Sequence, residues 1–150
     1  MKIDLESPNK PEILALIEAL DAYQKPLYPP ESHHGIDIMA LAMPHVLFAV
    51  ARNNKGKAVG CGAISLSNEY GELKRMYVMN EYRGQGLGKQ LLTFLESAAR
   101  LRNCTHVLLE TGYLQIEALT LYSRCGYKPC DPFGNYINDP NSIFMKKQIT

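Results

Sequence analysis

The sequence lacks a long apolar run and an excess of charge of either sign. No run approaches the roughly 20 apolar residues that span a bilayer, and residues 1–12 carry acids and prolines where a secretory signal has an apolar core. Sixteen Lys and Arg against 15 Asp and Glu leave a net charge of +1, whereas nucleic-acid binders usually show a basic excess. We therefore expect a cytoplasmic protein with no membrane or nucleic-acid partner.

Cysteines are few, and their spacing excludes the common cysteine sites. No C-x-x-C pair and no Cys/His spacing typical of zinc occurs among the four, Cys61, Cys104, Cys125 and Cys130. In a reducing cytosol we expect free thiols and no metal. Cys61 lies in the apolar segment VGCGAI, which favours buried packing over reactivity. A redox role for Cys125 and Cys130 has no supporting base or partner in the sequence.

The length and composition are those of one ordinary globular unit. The chain has 150 residues, of which 46% are hydrophobic and 21% are charged, and domains most often contain about 100–150 residues. A chain of this length buries enough surface to need neither a metal nor a disulfide. We predict a single domain over residues 1–150.

The hydrophobic spacing predicts both helices and strands. Helical spacing is expected at residues 12–23, 36–43, 87–102 and 115–126. Runs typical of strands are expected at 46–51, 58–66, 71–79, 106–112 and 142–149. The segment between the first two strands, RNNKGK, has the composition of a hairpin turn. This order predicts an α+β or mixed α/β layer with one parallel crossover.

Three glycines alternate in the segment RGQGLGK, residues 83–89, between a predicted strand and a predicted helix. Without Cβ atoms, backbone N–H groups can converge there, and a helix N-terminus favours an anion, most naturally a phosphate. A Walker A loop would need glycine at Arg83 and Ser or Thr at Gln90, and a G-x-G-x-x-G pattern would need glycine at Lys89 or Leu91. Both nucleotide loops are therefore excluded.

The strand and glycine loop LKRMYVMNEYRGQGLG are followed by a long apolar helix and then by the segment QIEALTLYSRCGY. Together and in this order, the three features resemble the GNAT superfamily of acyl-CoA-dependent N-acetyltransferases. LKRMYVMNEYRGQGLG is similar to the family's strand and its Q/R-x-x-G-x-G/A pyrophosphate loop. QIEALTLYSRCGY is similar to its N-x-x-A-x-x-L-Y-x-x-x-G-F/Y helix, with Gln115 where many members have Asn. The resemblance covers about residues 46–147. It implies a mixed α/β fold of the GNAT type, with a mostly antiparallel central sheet, one splayed parallel strand pair and about four flanking helices.

The resemblance also implies acetyl-CoA as co-substrate. In the family, the loop amides, here of residues 83–88, hold the pyrophosphate, and the strand residue at Val78 pairs its backbone with the pantetheine arm. Thr111 and Gly112 are expected near the gap between the splayed strands. The cofactor-binding residues implied in this way are Met76, Tyr77, Val78, Arg83, Gly84, Gln85, Gly86, Leu87, Gly88, Lys89, Thr111, Gln115 and Tyr122.

Two residues are predicted to move protons. Tyr122 matches the family tyrosine that protonates the leaving thiolate, since a phenol with a pKa near 10 stays protonated at pH 7; the alternative is a core tyrosine. Glu72 is the candidate base for the amine, and period-two alternation places it on one strand face with Lys74, Met76 and Val78. The alternative for Glu72 is an exposed partner of Lys74 or Arg75.

Substrate residues are less well marked in the sequence. The candidates are His33, His34, Arg75 and Glu110. Glu110 and the two histidines are also second choices for the base. A solvated histidine pair and a surface arginine are the alternatives. The loops 24–45 and 131–142 are expected to select the acceptor.

The expected function is transfer of acetyl from acetyl-CoA to a primary amine of a small molecule or peptide. Direct attack in a ternary complex is expected, because no Ser/His/Asp or Cys/His set that would support an acyl-enzyme is evident. The alternative is a catalytically idle acyl-CoA-binding sensor or regulatory module. A nucleic-acid-binding domain is disfavoured by the net charge, and a homodimer is left open.

Overall fold

The computed structural model describes residues 1–24, 26 and 38–150. Seven described strands form one sheet in the order β1-β2-β3-β4-β5-β7-β6. The strands are β1 (Lys2–Leu5), β2 (Val46–Arg52), β3 (Ala58–Leu66), β4 (Gly71–Val78), β5 (His106–Gly112), β6 (Lys128–Cys130) and β7 (Ser142–Gln148). The helices are α1 (Pro11–Gln24), α2 (Ile38–Leu41), α3 (Leu87–Leu101) and α4 (Ile116–Arg124), with a 3-10 turn at Asn80–Tyr82.

Five of the six neighbouring strand pairs are antiparallel, and β4 with β5 is the parallel exception. A parallel pair needs a long crossover, which α3 supplies. The sequence-based prediction of a mostly antiparallel sheet with one parallel pair and about four helices is confirmed.

The parallel pair separates partway along its length. The ladder consists of Gly71–Val107, Glu72–Leu108 and Leu73–Leu109, although β4 continues to Val78 and β5 to Gly112. On its other side β5 stays paired with β7 as far as Gly112–Ser142. The result is a wedge-shaped gap in the sheet, at the position where the resemblance implied one.

Two apolar cores lie on opposite faces of the sheet. Helix α3 buries the stripe predicted from its spacing, including Leu87, Leu91, Leu92, Leu95 and Ala99, and with α4 covers one face. Helices α1 and α2 cover the other face, against Phe48, Val50, Cys61 and Ala63. Burial raises the pKa of the Cys61 thiol to about 12, in agreement with a packing role.

A β-bulge in β4 reverses the faces of the residues that follow it. Cys61 pairs with Tyr77 but Ala63 pairs with Lys74, so one β3 residue opposes two β4 residues. Arg75, at the bulge, has a φ of +57°, which is uncommon for a residue other than glycine.

The bulge corrects one prediction about β4. Met76 and Val78 pack against the α3 core with Leu73, whereas Tyr77 packs against the α1 core. Simple alternation had placed Glu72 on one face with Met76 and Val78. That prediction is wrong, because the extra residue shifts the alternation by one.

The structure contains two strands that the sequence patterns did not predict, β1 and β6. Both lie at the edges of the sheet. Most of their residues are exposed, so they lack the apolar alternation that marks a half-buried strand. The second helix ends at Leu41, two residues before the expected end at Met43.

Candidate active site

A cleft of about 570 Å³ opens between the end of β4, the start of α3 and one side of α4. Its walls carry most of the residues that the sequence predicted for cofactor binding. These are Met76, Tyr77, Val78, Arg83, Gly84, Gly86, Leu87, Gly88, Lys89, Gln115 and Tyr122. Gln85 and Thr111 are not among the lining residues.

Two glycines of the loop have left-handed backbone conformations. The φ angles are +76° at Gly84 and +80° at Gly86, values that disfavour any residue with a Cβ atom. Gly86 is the N-cap of α3 and provides no side-chain cap. The first-turn amides of α3 therefore depend on water or a ligand for a partner, and the cleft is in contact with them.

The third glycine, Gly88, has a packing role. A Cβ atom at Gly88 would lie 3.1 Å from Leu121 Cδ2. Its absence lets α4 approach the first turn of α3. All three glycines were predicted to serve anion binding, and Gly88 also allows the two helices to pack.

Arg83 reaches across the mouth of the cleft. Its amide donates to the Asn80 carbonyl at 3.2 Å within the 3-10 turn, so this amide already has a partner. Its guanidinium carbon lies 5.5 Å from the centroid of the Tyr77 ring and 5.9 Å from that of Tyr23. One of its terminal nitrogens lies 3.8 Å from Glu117 Oε2. The side chain therefore links α1, β4 and α4.

The backbone of Val78 is directed into the gap. The amide of Met79 donates to the Val59 carbonyl at 2.9 Å, and the adjacent pair is Gly60–Val78. Because hydrogen-bonded and non-hydrogen-bonded pairs alternate in an antiparallel ladder, the N–H and C=O of Val78 point away from β3. Arg83 Nε donates to that carbonyl at 2.8 Å.

Tyr122 is both a core side chain and part of the cleft wall. Its side chain is 7% exposed and belongs to the α3 core, with its ring edge-on to Tyr127 at 5.9 Å. It also lines the cleft. Burial, with a smaller contribution from Cys125, raises the pKa of the phenol above its usual value. The phenol is therefore protonated at neutral pH.

Gln115 organises the connection between β5 and α4. Its Oε1 accepts hydrogen bonds from the Gly112 amide at 3.0 Å and from the Thr111 hydroxyl at 3.3 Å. Thr111 is buried and holds this turn. The oxygen of the Gln115 amide is thus already engaged by hydrogen bonds within the turn.

Glu72 lies on the opposite face of the sheet from Met76 and Val78. The Tyr136 hydroxyl donates to Glu72 Oε2 at 2.5 Å, and Lys74 Nζ lies 3.1 Å from the same oxygen. The side chains of Glu72 and Lys74 are only 16% and 13% exposed. The expected pairing with Lys74 is present, but the pair is largely covered and not at the surface.

Two of the four predicted substrate residues, Glu110 and Arg75, lie within the described part of the chain. Glu110 accepts a hydrogen bond from the Ser142 hydroxyl at 2.6 Å. Arg75 is paired with Asp21 of α1 and its side chain is 12% exposed, so the alternative of a surface arginine is wrong. His33 and His34 lie outside the described residues.

Several residues of the site were not found from the sequence. Ala118 and Leu121 line the cleft and belong to the helix motif that was recognised, so a helical wheel of that motif would have found them. Tyr23 of α1 and Tyr136 of the β6–β7 loop carry no local signal. The cleft residues without a prior assignment are Leu20, Tyr23, Tyr82, Glu117, Ala118, Thr120, Leu121, Arg124 and Cys125.

The described residues contain neither a metal-binding cluster nor a membrane-spanning helix. In residues 1–24, 26 and 38–150, no three His, Cys, Asp or Glu side chains are grouped as a metal site requires. Within the same residues, no helix has the length and apolar character needed to cross a membrane.

Known proteins resemble this chain in sequence over most of its length. The family model for "Acetyltransferase (GNAT) family" matches residues 14–127. The IAA acetyltransferase of Azospirillum brasilense is 44% identical over 146 residues, which are 96% of this chain and 95% of that protein.

Solved structures share the fold. A Klebsiella pneumoniae protein assigned to the acyl-CoA N-acyltransferases has a TM-score of 0.85 and 41% identity, over 99% of this chain and 97% of that one. The PaiA N-acetyltransferase from Thermoplasma acidophilum, solved in complex with coenzyme A, has a TM-score of 0.72 and 18% identity over 99% of each chain. The latter likeness shows the fold alone.

Proposed function

The chain belongs to the GNAT family of acetyltransferases and is an acetyl-CoA-dependent N-acetyltransferase, and we propose that its acceptor is a primary amine of a small molecule or peptide. The two substrates bind together, and the amine attacks the thioester directly. The observation that carries this proposal is the cleft, which joins an uncapped helix N-terminus to a gap in the sheet.

Acetyl-CoA fits the cleft as an anion attached to a long amide-bearing arm. The amides from Gly84 to Gly88 and the positive end of the α3 dipole suit the pyrophosphate. Because the Arg83 amide is used within its own turn, we leave it out of the donor set that the resemblance implied. The N–H of Val78 is directed toward the gap and suits a carbonyl of the pantetheine arm.

The reaction forms one C–N bond and breaks one C–S bond. The amine nitrogen attacks the thioester carbonyl, and the tetrahedral intermediate collapses with loss of the coenzyme A thiolate. Tyr122, a protonated phenol in the wall of the cleft, donates its proton to that thiolate. Glu72, directly or through water, accepts the proton that the amine loses.

A base matters most for a strongly basic amine. An amine with a pKa near 10.4 is neutral in only about one part in a few thousand at pH 7, whereas an α-amine with a pKa near 8 is neutral in about one part in ten. A carboxylate at the acceptor site therefore contributes most for lysine-like amines. Glu110 lies on the same side of the sheet as Glu72, because it pairs directly with Phe144, whose ring packs on Tyr136, the partner of Glu72. We propose that Glu110 contacts the acceptor.

The proposal is tested with a panel of amines and acetyl-CoA, read by release of the coenzyme A thiol. The panel contains diamines, amino acids, and peptides with free N-termini and lysine side chains. IAA, the compound in the name of the Azospirillum relative, is assayed separately from the amines. We expect turnover with at least one primary amine. Acetyl-CoA binding without turnover on any amine would contradict the proposal and favour the idle acyl-CoA-binding module.

A further inference from the structure

Three polar side chains form a closed group on the face of the sheet opposite α3. Tyr136 donates to Glu72 Oε2 at 2.5 Å, and Lys74 Nζ lies 3.1 Å from that same oxygen. Lys74 Nζ also donates to the Tyr136 hydroxyl at 3.1 Å. Both donors therefore converge on one oxygen of the carboxylate.

Tyr136 is held rigidly by aromatic neighbours. Its ring lies edge-on to Phe133 at 5.2 Å and to Phe144 at 5.5 Å, measured between centroids, arrangements that aromatic pairs favour. Burial and the hydrogen bond to Glu72 raise the pKa of the Tyr136 phenol above its usual value. The hydroxyl therefore keeps its proton and remains a donor.

The group lies beside the gap in the sheet. Glu72 pairs with Leu108, one step before the β4–β5 ladder ends at Leu73–Leu109. Tyr136 comes from the loop between β6 and β7, 64 residues away in sequence. A loop expected to select the acceptor thus touches the side chain proposed to take the acceptor's proton.

We propose that Tyr136 is a positioning residue for Glu72, an inference that rests on the proposed function. With Lys74, it fixes the orientation of the carboxylate by engaging Oε2 and leaves Oε1 as the oxygen that receives the amine proton. A carboxylate free to rotate would present its oxygens to the amine in the productive geometry less often. The β6–β7 loop thereby contributes to turnover as well as to acceptor choice.

The test compares Tyr136→Phe with wild type on an amine identified by the panel. Loss of the hydroxyl leaves the ring packing in place, so we expect kcat to fall about tenfold, less than the 10²–10⁴-fold value of a whole acid or base. KM for acetyl-CoA should not change, because neither Tyr136 nor Glu72 lines the cleft. Tyr70→Phe is the matched control: its ring packs edge-on to Phe133 at 5.5 Å, and the change removes one hydroxyl from the same aromatic group.

A double variant separates positioning from general packing. In a Glu72→Gln background, Tyr136→Phe should cost little further activity, since residues that act as a unit are not additive. Three results would overturn the inference: an equal loss of activity in both backgrounds, an unchanged kcat in Tyr136→Phe, or a rise only in its KM for acetyl-CoA. In each case, turnover by the wild-type protein would still uphold the proposed function. Absence of wild-type turnover on every amine would instead overturn the proposed function and this inference with it. Thermal unfolding of each variant confirms that it is folded.

Discussion

The two faces of β4 show two ways of building a binding site. On the α3 side, the cleft is built around backbone groups and glycines of one continuous segment, residues 78–88. On the other side, polar side chains far apart in sequence meet: Tyr136 with Glu72, 64 residues apart, and Arg75 with Asp21, 54 residues apart. A backbone site therefore follows from local sequence, whereas a side-chain site depends on the packing of the whole sheet.

The largest effect should come from breaking the backbone site. Gly86→Val places a β-branched residue at a φ of +80°, which costs more than about 1–2 kcal/mol locally and turns the first amides of α3 away from the ligand. We expect calorimetry to detect no acetyl-CoA binding.

Gly56→Val is the matched control for that change. Gly56 also has a φ of +80° and open space around its Cβ position, but it lies in the β2–β3 hairpin. It should lose similar stability and keep its affinity for acetyl-CoA. Equal affinity in the two variants would refute the assignment of the glycine loop.

The next largest effect should come from the one side chain of the cleft that is proposed to act chemically. Tyr122→Phe removes a proton donor and little volume, so turnover should fall by roughly 10²–10⁴-fold with coenzyme affinity kept. Tyr113→Phe, outside the cleft lining, is the control and should behave as wild type. If the Tyr122 variant keeps the wild-type rate, water or another group protonates the thiolate.

On the opposite face, Glu72→Gln should have a pH-dependent effect. At low pH the acceptor is mainly ammonium and the base matters most, so the loss of rate should be greatest there. As the pH approaches the amine's own pKa, free amine becomes abundant and the variant should recover much of its activity. A pH–rate profile of both proteins decides the matter.

A constant ratio of rates across pH would have a different meaning. It would show that Glu72 positions the substrate and takes no proton. No effect at any pH would move the role of base to Glu110, His33 or His34. Either result would leave the backbone site intact and change only the account of the side-chain face.

The smallest effect concerns a long-range pair that belongs to neither site. Arg52 donates to both carboxylate oxygens of Glu6, at 2.8 and 2.9 Å, and this hydrogen bonding lowers the pKa of Glu6 to about 2. Because the pKa of Glu6 is lower in the folded chain than its usual value of 4.5, the ionised carboxylate stabilises the fold at a pH above 4.5. This stabilisation is lost as the pH falls toward 2. Glu6→Gln should therefore cost about 1 kcal/mol at pH 7 and flatten that part of the acid dependence, without changing activity.

Urea unfolding at several pH values checks this expectation. Asp4→Asn is the control, because its 3.6 Å pair with Lys2 is largely exposed and should contribute almost nothing. Equal losses for the two variants would show that the Glu6–Arg52 contact has no special weight.

Several elements of the fold could be predicted because their signals lie within the element itself. The stripe of leucines gives α3, and the apolar run VLFAVA gives β2. Strands β1 and β6 could not be predicted, because backbone pairing at the sheet edges stabilises them while most of their side chains are exposed. The glycine loop could be predicted for the same reason as α3, because the residues that give it its chemistry are adjacent in sequence.

Spacing over one or two helical turns, or over a few strand residues, predicts the helices, most strands and the loop at residues 83–89. The contacts between side chains across the sheet depend instead on how the whole chain packs. The bulge at Arg75 shows why: one extra residue moves Met76 and Val78 to the face opposite Glu72, and no periodicity records it. The partners of Glu72 depend on the strand order and register of the whole sheet, which bring Tyr136 beside it only after folding.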